Sequence, residues 1–270
     1  MQYAGHVEII ICPDEKNVGE TAAAKVAKIA RTVGPGVVLG VATGSSPLSL
    51  YENLAKLVKS GELDLSDASA FALDEYVGLA DGHPESYHEV IRRTVTEPLG
   101  LDPARVHVPD GSVHGLATAG ARYDAAIEAA GGVDVQILGI GVNGHIGFNE
   151  PTSSLSSRTR IKTLSARTRA DNARFFASAS EVPTHAITQG IGTIMDARHL
   201  VLVATGQAKA HAVAATVEGP VTAMVPASVL QLHQFATLVV DEAAASQLTM
   251  ADYYKLAYAE LLEWQRLDVS

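Results

Sequence analysis

The stretch Gly139-Ile140-Gly141-Val142-Asn143-Gly144-His145-Ile146-Gly147-Phe148-Asn149-Glu150-Pro151 holds the residue types best suited to chemistry. Its four glycines release the backbone into conformations that other residues avoid. His145 lies within a few residues of Asn143 and Glu150, and a histidine oriented by a carboxylate moves protons near neutral pH. An Asn-Gly turn with a structural histidine is the plainer reading, but a turn alone does not require His and Glu at this spacing. A second cluster, Leu73-Asp74-Glu75-Tyr76-Val77-Gly78, puts two carboxylates side by side. Either could serve as a general base, or the pair could be a charged turn leaving a strand.

Other residues suggest an anion. Thr43-Gly44-Ser45-Ser46-Pro47 combines hydroxyls with a glycine ahead of a helix. Free N–H groups and the dipole at a helix start favour negative charge. The stretch is neither G-x-x-x-x-G-K-[ST] nor G-x-G-x-x-G, so nucleotide binding is not indicated; an ordinary turn with a serine cap is the alternative. Residues 153–162 carry Arg158, Arg160 and Lys162 among Ser and Thr, an extended segment with a basic face. Arg174 and Lys209 sit in mixed or apolar helical sequence, where they could equally snorkel. His83 and His88 near Asp74 raise the question of a metal, but no H-x-x-x-H or H-E-x-x-H spacing occurs, and a catalytic metal is not expected.

The elements that must position these residues follow a regular rhythm. Apolar runs at 7–12, 37–42, 70–73, 106–108, 133–139, 199–204 and 236–240 read as strands. Helical patterns lie between them: 17–33 opening at Asn17 with Glu20 three residues on, 46–60 with Ser46 as cap and Pro47 at the first position, 87–95 and 116–130. Two more begin near Ala208 and Ala243. Gly34-Pro35-Gly36 and Gly61 stop the first two helices. Strands apolar on both faces and alternating with helices predict a mostly parallel sheet covered on both sides, an α/β fold in one domain, 1–270. The polar clusters fall after strands, where open α/β sheets bind ligands. Residues 165–183, with Arg167, Thr168, Arg169 and Arg174 but no strong apolar stripe, suit a mobile lid over an anion.

Composition bounds the function. Twenty Lys+Arg against 30 Asp+Glu give a net charge of -10, which disfavours nucleic-acid binding. Hydrophobic residues at 47% exclude a disordered chain. Cys12 stands alone, so neither an internal disulfide nor a cysteine-rich zinc site is available. No basic leader precedes an apolar run, and no apolar stretch reaches 18 residues. The expectation is a soluble cytoplasmic protein without membrane contact.

In this order these residues resemble the glucosamine-6-phosphate deaminase (isomerase) family. The matching stretches are 42–47, 73–79 with His83-Pro84-Glu85-Ser86-Tyr87, 139–151, 153–163, 172–176 and 217–219. The resemblance runs from about Val37 to the C-terminal helix. The related 6-phosphogluconolactonases share a Gly-His in the 139–151 loop but lack the Phe-Asn-Glu-Pro run. The resemblance implies conversion of glucosamine 6-phosphate and water to fructose 6-phosphate and ammonia, on a modified Rossmann-like fold without organic cofactor or metal. It makes Asp74 the base that carries the C2 proton to C1 through an enediol-type intermediate. His145 becomes the group that opens the pyranose ring, with Asn143 and Glu150 as its orienting partners. Asn143 departs from those family members that carry Asp there. Thr43, Gly44, Ser45 and Ser46, with Arg174 and Lys209, become the 6-phosphate site. Ser153, Arg160 and Lys162 fall where regulated members bind N-acetylglucosamine 6-phosphate between subunits, which implies a homo-oligomer, a hexamer in those members. The alternatives are a galactosamine-6-phosphate deaminase and a sugar-phosphate-sensing domain, which would not need Asp74, His145 and Glu150 together.

Overall fold

A computed structural model describes residues 7–262. The expectation that no leader opens the chain falls on residues 1–6, which lie outside the described residues. The chain opens with β1 (Glu8–Cys12), α1 (Glu15–Val33), β2 (Val38–Val41), α2 (Leu48–Ser60), β3 (Ser69–Ala72) and β4 (Asp74–Tyr76). After α3 (Tyr87–Ile91) a wide turn leads to the single turn α4 (Glu97–Leu99), then to β5 (Val106–His107), α5 (Leu116–Ala129) and β6 (Val135–Leu138). The remainder runs β7 (Arg160–Thr163), α6 (Ala166–Asn172), β8 (His185–Thr188), α7 (Ile191–Met195), β9 (His199–Ala204), α8 (Ala210–Val217), β10 (Ala236–Asp241) and α9 (Ala251–Ala259).

Among the described residues, seven strands form a parallel sheet in the order β1-β10-β9-β6-β2-β3-β5. Successive residues of a strand point to opposite faces, so each run feeds two cores. Ile10, Leu39, Ile137, Val201 and Val239 pack under α1 and α2. Their neighbours Ile9, Val38, Leu138, Leu200 and Leu238 pack against α5, α7 and α8. That is why these strands are apolar throughout rather than alternating. The fold is α/β with helices on both faces, as the sequence predicts. The order in which strands are added reverses between β2 and β6, which themselves run parallel: β2 crosses over to β3 on one side, and β6 to β9 on the other. Such a switch point opens a crevice at the strand C-termini.

Three strands that the sequence pattern did not reveal as a unit make a small antiparallel sheet, β4-β8-β7. Leu73 joins the two sheets. Its N–H donates to Val41 O (3.0 Å) and its carbonyl accepts from Gln189 N–H (2.7 Å). Asp74 therefore opens a strand of the second sheet rather than a turn. Tyr76, Phe148, Leu164 and Ala186 form a small core beside it.

Helix starts also differ from expectation. α1 begins at Glu15, capped by Asp14, whose side chain accepts from Asn17 N–H (2.9 Å). Asn17 could cap too, but Asp14 reaches the orphan donor first and adds a turn. α2 begins at Leu48, after Pro47, and no side chain caps it. Ser46 is left in the preceding turn. The last helix starts at Ala251, not near Ala243. The Asp241 carboxylate takes Ala244 N–H (2.7 Å), and Glu218 takes the N–H groups of Thr249 and Met250 (2.9 Å each). These bonds hold residues 242–250 in turns. Only the end of the basic 153–162 segment is a strand, β7.

Candidate active site

A cavity of about 180 Å³ opens at the switch point. Its walls come from the ends of the strands: residues 42–47 after β2, Leu73 and Asp74 after β3, residues 139–142 and His145 after β6, and Lys209 after β9. Helix α6 and the turn that follows it add Thr168, Asp171, Asn172 and Arg174.

Thr43, Gly44, Ser45 and Ser46 all line the cavity. Gly44 has φ +99°, a conformation strained for any side chain. The Tyr51 hydroxyl braces the strand end behind it, donating to Ala42 O and accepting from Ala42 N–H at 2.9 Å each. Since no side chain caps α2, the positive end of its dipole is available to an anion. Two cations share the cavity. Arg174 is exposed, its guanidinium 4.7 Å above the Phe175 ring. Lys209 donates from Nζ to Ile140 O (2.7 Å), and burial holds its ammonium below the ordinary lysine value. The loop before Lys209 is fixed by Asp241, both carboxylate oxygens of which accept Gly206 N–H at 3.0 Å.

Asp74 is 5% exposed and faces the cavity. Burial, then the charge of Glu75, raises its carboxyl to about 8, against the opposing hydrogen bonds of Thr188 and the Phe148 amide. Gly147 makes room beside it: a Cβ there would come within 2.9 Å of Thr188 Oγ1 and 3.3 Å of Asp74 Oδ2. Glu75 points elsewhere. It accepts the backbone N–H groups of Tyr76 (2.7 Å), Tyr87 and His88 (2.9 Å each), so it anchors the start of α3. The adjacent carboxylates are thus separated in role by the alternation of β4.

His145 lines the same cavity, its ring lying over Gly141. A Cβ at Gly141 would sit 2.2–2.4 Å from three ring atoms, so only glycine admits the imidazole here. Burial lowers the imidazole below its ordinary value, although Glu150 pulls the other way. Asn143 and Glu150 stand behind the ring rather than in the cavity. Asn143 Oδ1 accepts His145 N–H (3.2 Å) and its Nδ2 donates to Glu150 Oε2 (2.9 Å). That same Oε2 lies 3.9 Å from His145 Nδ1, too far for a hydrogen bond. Glu150 Oε1 accepts from Ser165 Oγ (3.0 Å) and from Thr168 Oγ1. Burial alone would raise the Glu150 carboxyl. Thr168, Asn143, His145 and Ser165 together outweigh that and bring it below the usual value.

Ser153, Arg160 and Lys162 do not reach this cavity. Ser153 is 2% exposed and its Oγ has no hydrogen-bond partner. Half-buried Arg160 donates from Nη1 to Asn149 Oδ1 (2.8 Å). Lys162 stands two residues along β7. Arg158 is tied to Asp124 (3.4 Å) and Asp196 in ion pairs. His83 and His88 are not cavity residues either. His83 stacks on Phe176 at 5.9 Å, and His88 lies beside Glu89. The cavity also holds Tyr87 of the 83–87 stretch, Thr168 of the expected lid and Asp171, which sequence reading did not name. Tyr87 stacks on Phe148 at 5.8 Å near the Thr43 hydroxyl.

The arrangement puts a protonatable carboxylate, an imidazole, two cationic side chains and the turn before an uncapped helix in one small cavity. The chain is also similar to known proteins over most of its length. A family model for glucosamine-6-phosphate isomerases and 6-phosphogluconolactonases matches residues 13–239. A glucosamine-6-phosphate deaminase of Cutibacterium acnes is 60% identical over 250 residues, covering 92% of this chain and 95% of that protein. One from Bifidobacterium longum is 58% identical over 267 residues, covering 96% and 98%. The solved structure of a monomeric glucosamine-6-phosphate deaminase superposes with a TM-score of 0.86 at 37% identity, covering 89% of this chain and all of that one. A 6-phosphogluconolactonase from Trypanosoma cruzi shares the fold, with a TM-score of 0.71 at 18% identity over 92% and 99% of the two chains.

Proposed function

The chain belongs to the glucosamine-6-phosphate isomerase and 6-phosphogluconolactonase family, and from that premise we infer that it is an enzyme of amino-sugar breakdown. It converts glucosamine 6-phosphate and water to fructose 6-phosphate and ammonia. The observation that carries this reading is the single cavity in which Asp74 and His145 meet the uncapped start of α2, Arg174 and Lys209. The Phe148-Asn149-Glu150-Pro151 run separates it from the lactonase branch.

In the proposed reaction the phosphate docks at residues 43–46 with Arg174 and Lys209. Such remote binding energy holds the sugar in reactive geometry. His145 takes the proton of the C1 hydroxyl and returns one to the ring oxygen, opening the pyranose. Asp74 then carries a proton from C2 to C1 through an enediol-type intermediate bearing nitrogen. Water hydrolyses the resulting C2 imine, leaving the ketose and ammonia. The cationic amine of the bound sugar favours the ionised form of Asp74, because an opposite charge nearby lowers a carboxyl pKa. Asn143 and Glu150 act through His145 rather than on the sugar. Residues 165–183 serve as a lid, supported by the cavity-lining side chains of α6.

Regulation is a further part of the proposal. Ser153 with its unpartnered hydroxyl, Arg160 and Lys162 are suited to an anion, N-acetylglucosamine 6-phosphate being the activator the resemblance suggests. A homo-oligomer would complete that site. We assign the reaction to the cytoplasm because phosphorylated sugars do not cross membranes unaided. No helix of the described residues is long and apolar enough to span a membrane.

The test is ammonia release from glucosamine 6-phosphate and from its galacto epimer, each with and without N-acetylglucosamine 6-phosphate. Release from the gluco epimer is expected. Turnover of the galacto epimer alone, or binding without ammonia, would overturn the reading. Sedimentation of the purified protein decides between monomer and hexamer.

A further inference from the structure

Both donors to Glu150 Oε1 come from the first turn of α6, and the Glu150 carboxylate is the nearest acceptor described for His145 Nδ1. We propose that Thr168, with Ser165, is a positioning residue that ties the lid helix to the ring-opening histidine through Glu150. This inference rests on the reading of His145 given above.

The geometry has three parts. First, Ser165 Oγ does two jobs. It caps α6 by accepting Thr168 N–H (3.1 Å), and it donates to Glu150 Oε1 (3.0 Å). Thr168 Oγ1 adds the second donor to that oxygen. The hydroxyls that start the helix are therefore the ones that hold the carboxylate. Second, the other carboxylate oxygen is held by Asn143, from the loop that carries His145. Glu150 thus bridges two elements, one on each oxygen. Third, His145 Nδ1 is buried and has no hydrogen-bond partner, with Glu150 Oε2 at 3.9 Å. A shift of about 1 Å brings that pair to hydrogen-bond distance. Movement of α6 pulls on Oε1 and so sets whether Oε2 reaches the imidazole. Seating the lid over a ligand and readying the proton shuttle become one event. Lys209 and Asp171 also face the imidazole, but neither contacts Glu150 among the described hydrogen bonds.

Thr168→Val tests this, since it removes the hydroxyl and keeps the branched shape. Hydrogen bonds to charged groups are worth roughly 1.5–3 kcal/mol, so kcat on glucosamine 6-phosphate should fall about ten- to hundred-fold. Thr168 also lines the cavity, so a double-mutant cycle with Glu150→Gln separates its two possible contacts. Loss of the Thr168 hydroxyl should cost less than about twofold in the Glu150→Gln background. An equal loss in both backgrounds would show that Thr168 acts on the sugar directly and would overturn the tether. The ring protons of His145, followed by NMR without substrate, should titrate at lower pH in Thr168→Val and return to the wild-type midpoint in Thr168→Ser. An unmoved or raised midpoint would also overturn it. That titration needs no turnover. A wild type inert toward glucosamine 6-phosphate whose His145 midpoint still follows Thr168 would sink the assigned reaction and leave the tether standing.

Discussion

At Asp74, a carboxyl that takes a proton from carbon in the proposed reaction stands where its own ionisation is resisted. Burial and Glu75 hold its proton on until about pH 8. In the proposed reaction the ionised form is the active one, so kcat/KM of the free enzyme should climb as pH rises through that value. Asn at this position keeps the shape and cannot accept the proton. General-base catalysis contributes roughly 10²–10⁴-fold, so Asp74→Asn should lose about that factor in kcat with KM little changed. Exchange of the C2 hydrogen with deuterated solvent should fall in parallel. His145→Gln should behave differently, slow on the closed pyranose and less impaired on open-chain sugar. Near-normal turnover and exchange in Asp74→Asn would transfer the role to another group. Glu75 is a poor substitute, because three backbone N–H groups hold it at the start of α3.

The elements show where sequence reading succeeded and where it stopped. The strands of the parallel sheet were legible because burial on both faces leaves continuous apolar runs, as in His199–Ala204. The polar clusters after them marked the cavity for the same reason: strand ends in such sheets meet the ligand. The antiparallel sheet was not legible. Asp74-Glu75-Tyr76 reads as a charged turn, and Arg160–Thr163 alternates half-buried with exposed residues. Nothing in either short segment announces its partner, His185–Thr188. The contact of Glu150 with α6 was equally hidden, since Ser165 and Thr168 lie 15 and 18 residues away from it.

Two predictions belong to this scale. Lys209→Ala or Arg174→Ala should mainly weaken substrate binding. Charge-assisted hydrogen bonds are worth roughly 1.5–3 kcal/mol, hence about a ten- to hundred-fold loss in kcat/KM. Unchanged kinetics in both variants would place the phosphate elsewhere. For the lid, backbone hydrogen exchange across residues 165–183 should slow when a sugar phosphate is added. Equal rates in free and liganded protein would remove the lid from the mechanism.

For the whole molecule, two cores stacked on one sheet supply the rigidity that a catalytic constellation needs, and the site occupies the crevice where the crossovers part. Helix α2 illustrates the division of labour. Leu50, Tyr51 and Leu54 bury one face against the sheet, while residues 43–47, which lead into it, line the cavity.

The buried carboxyl at the junction of the two sheets makes folding a proton-consuming reaction. The folded chain keeps the Asp74 proton up to about pH 8, whereas an unfolded chain releases it near 3.8. Between those values the folded state binds more protons than the unfolded one, so stability falls as pH rises. The contribution of this group is full below about pH 4 and lost as pH climbs through 8. Asn carries no such proton. Asp74→Asn should therefore unfold at higher denaturant concentration than the wild type near pH 8, and the difference should close toward pH 4. Denaturation midpoints for both proteins across that range measure it directly. A gap that stays constant with pH would mean that Asp74 ionises freely in the folded chain. If the gap does open with pH, the site's working protonation state is maintained against the stability of the protein that houses it.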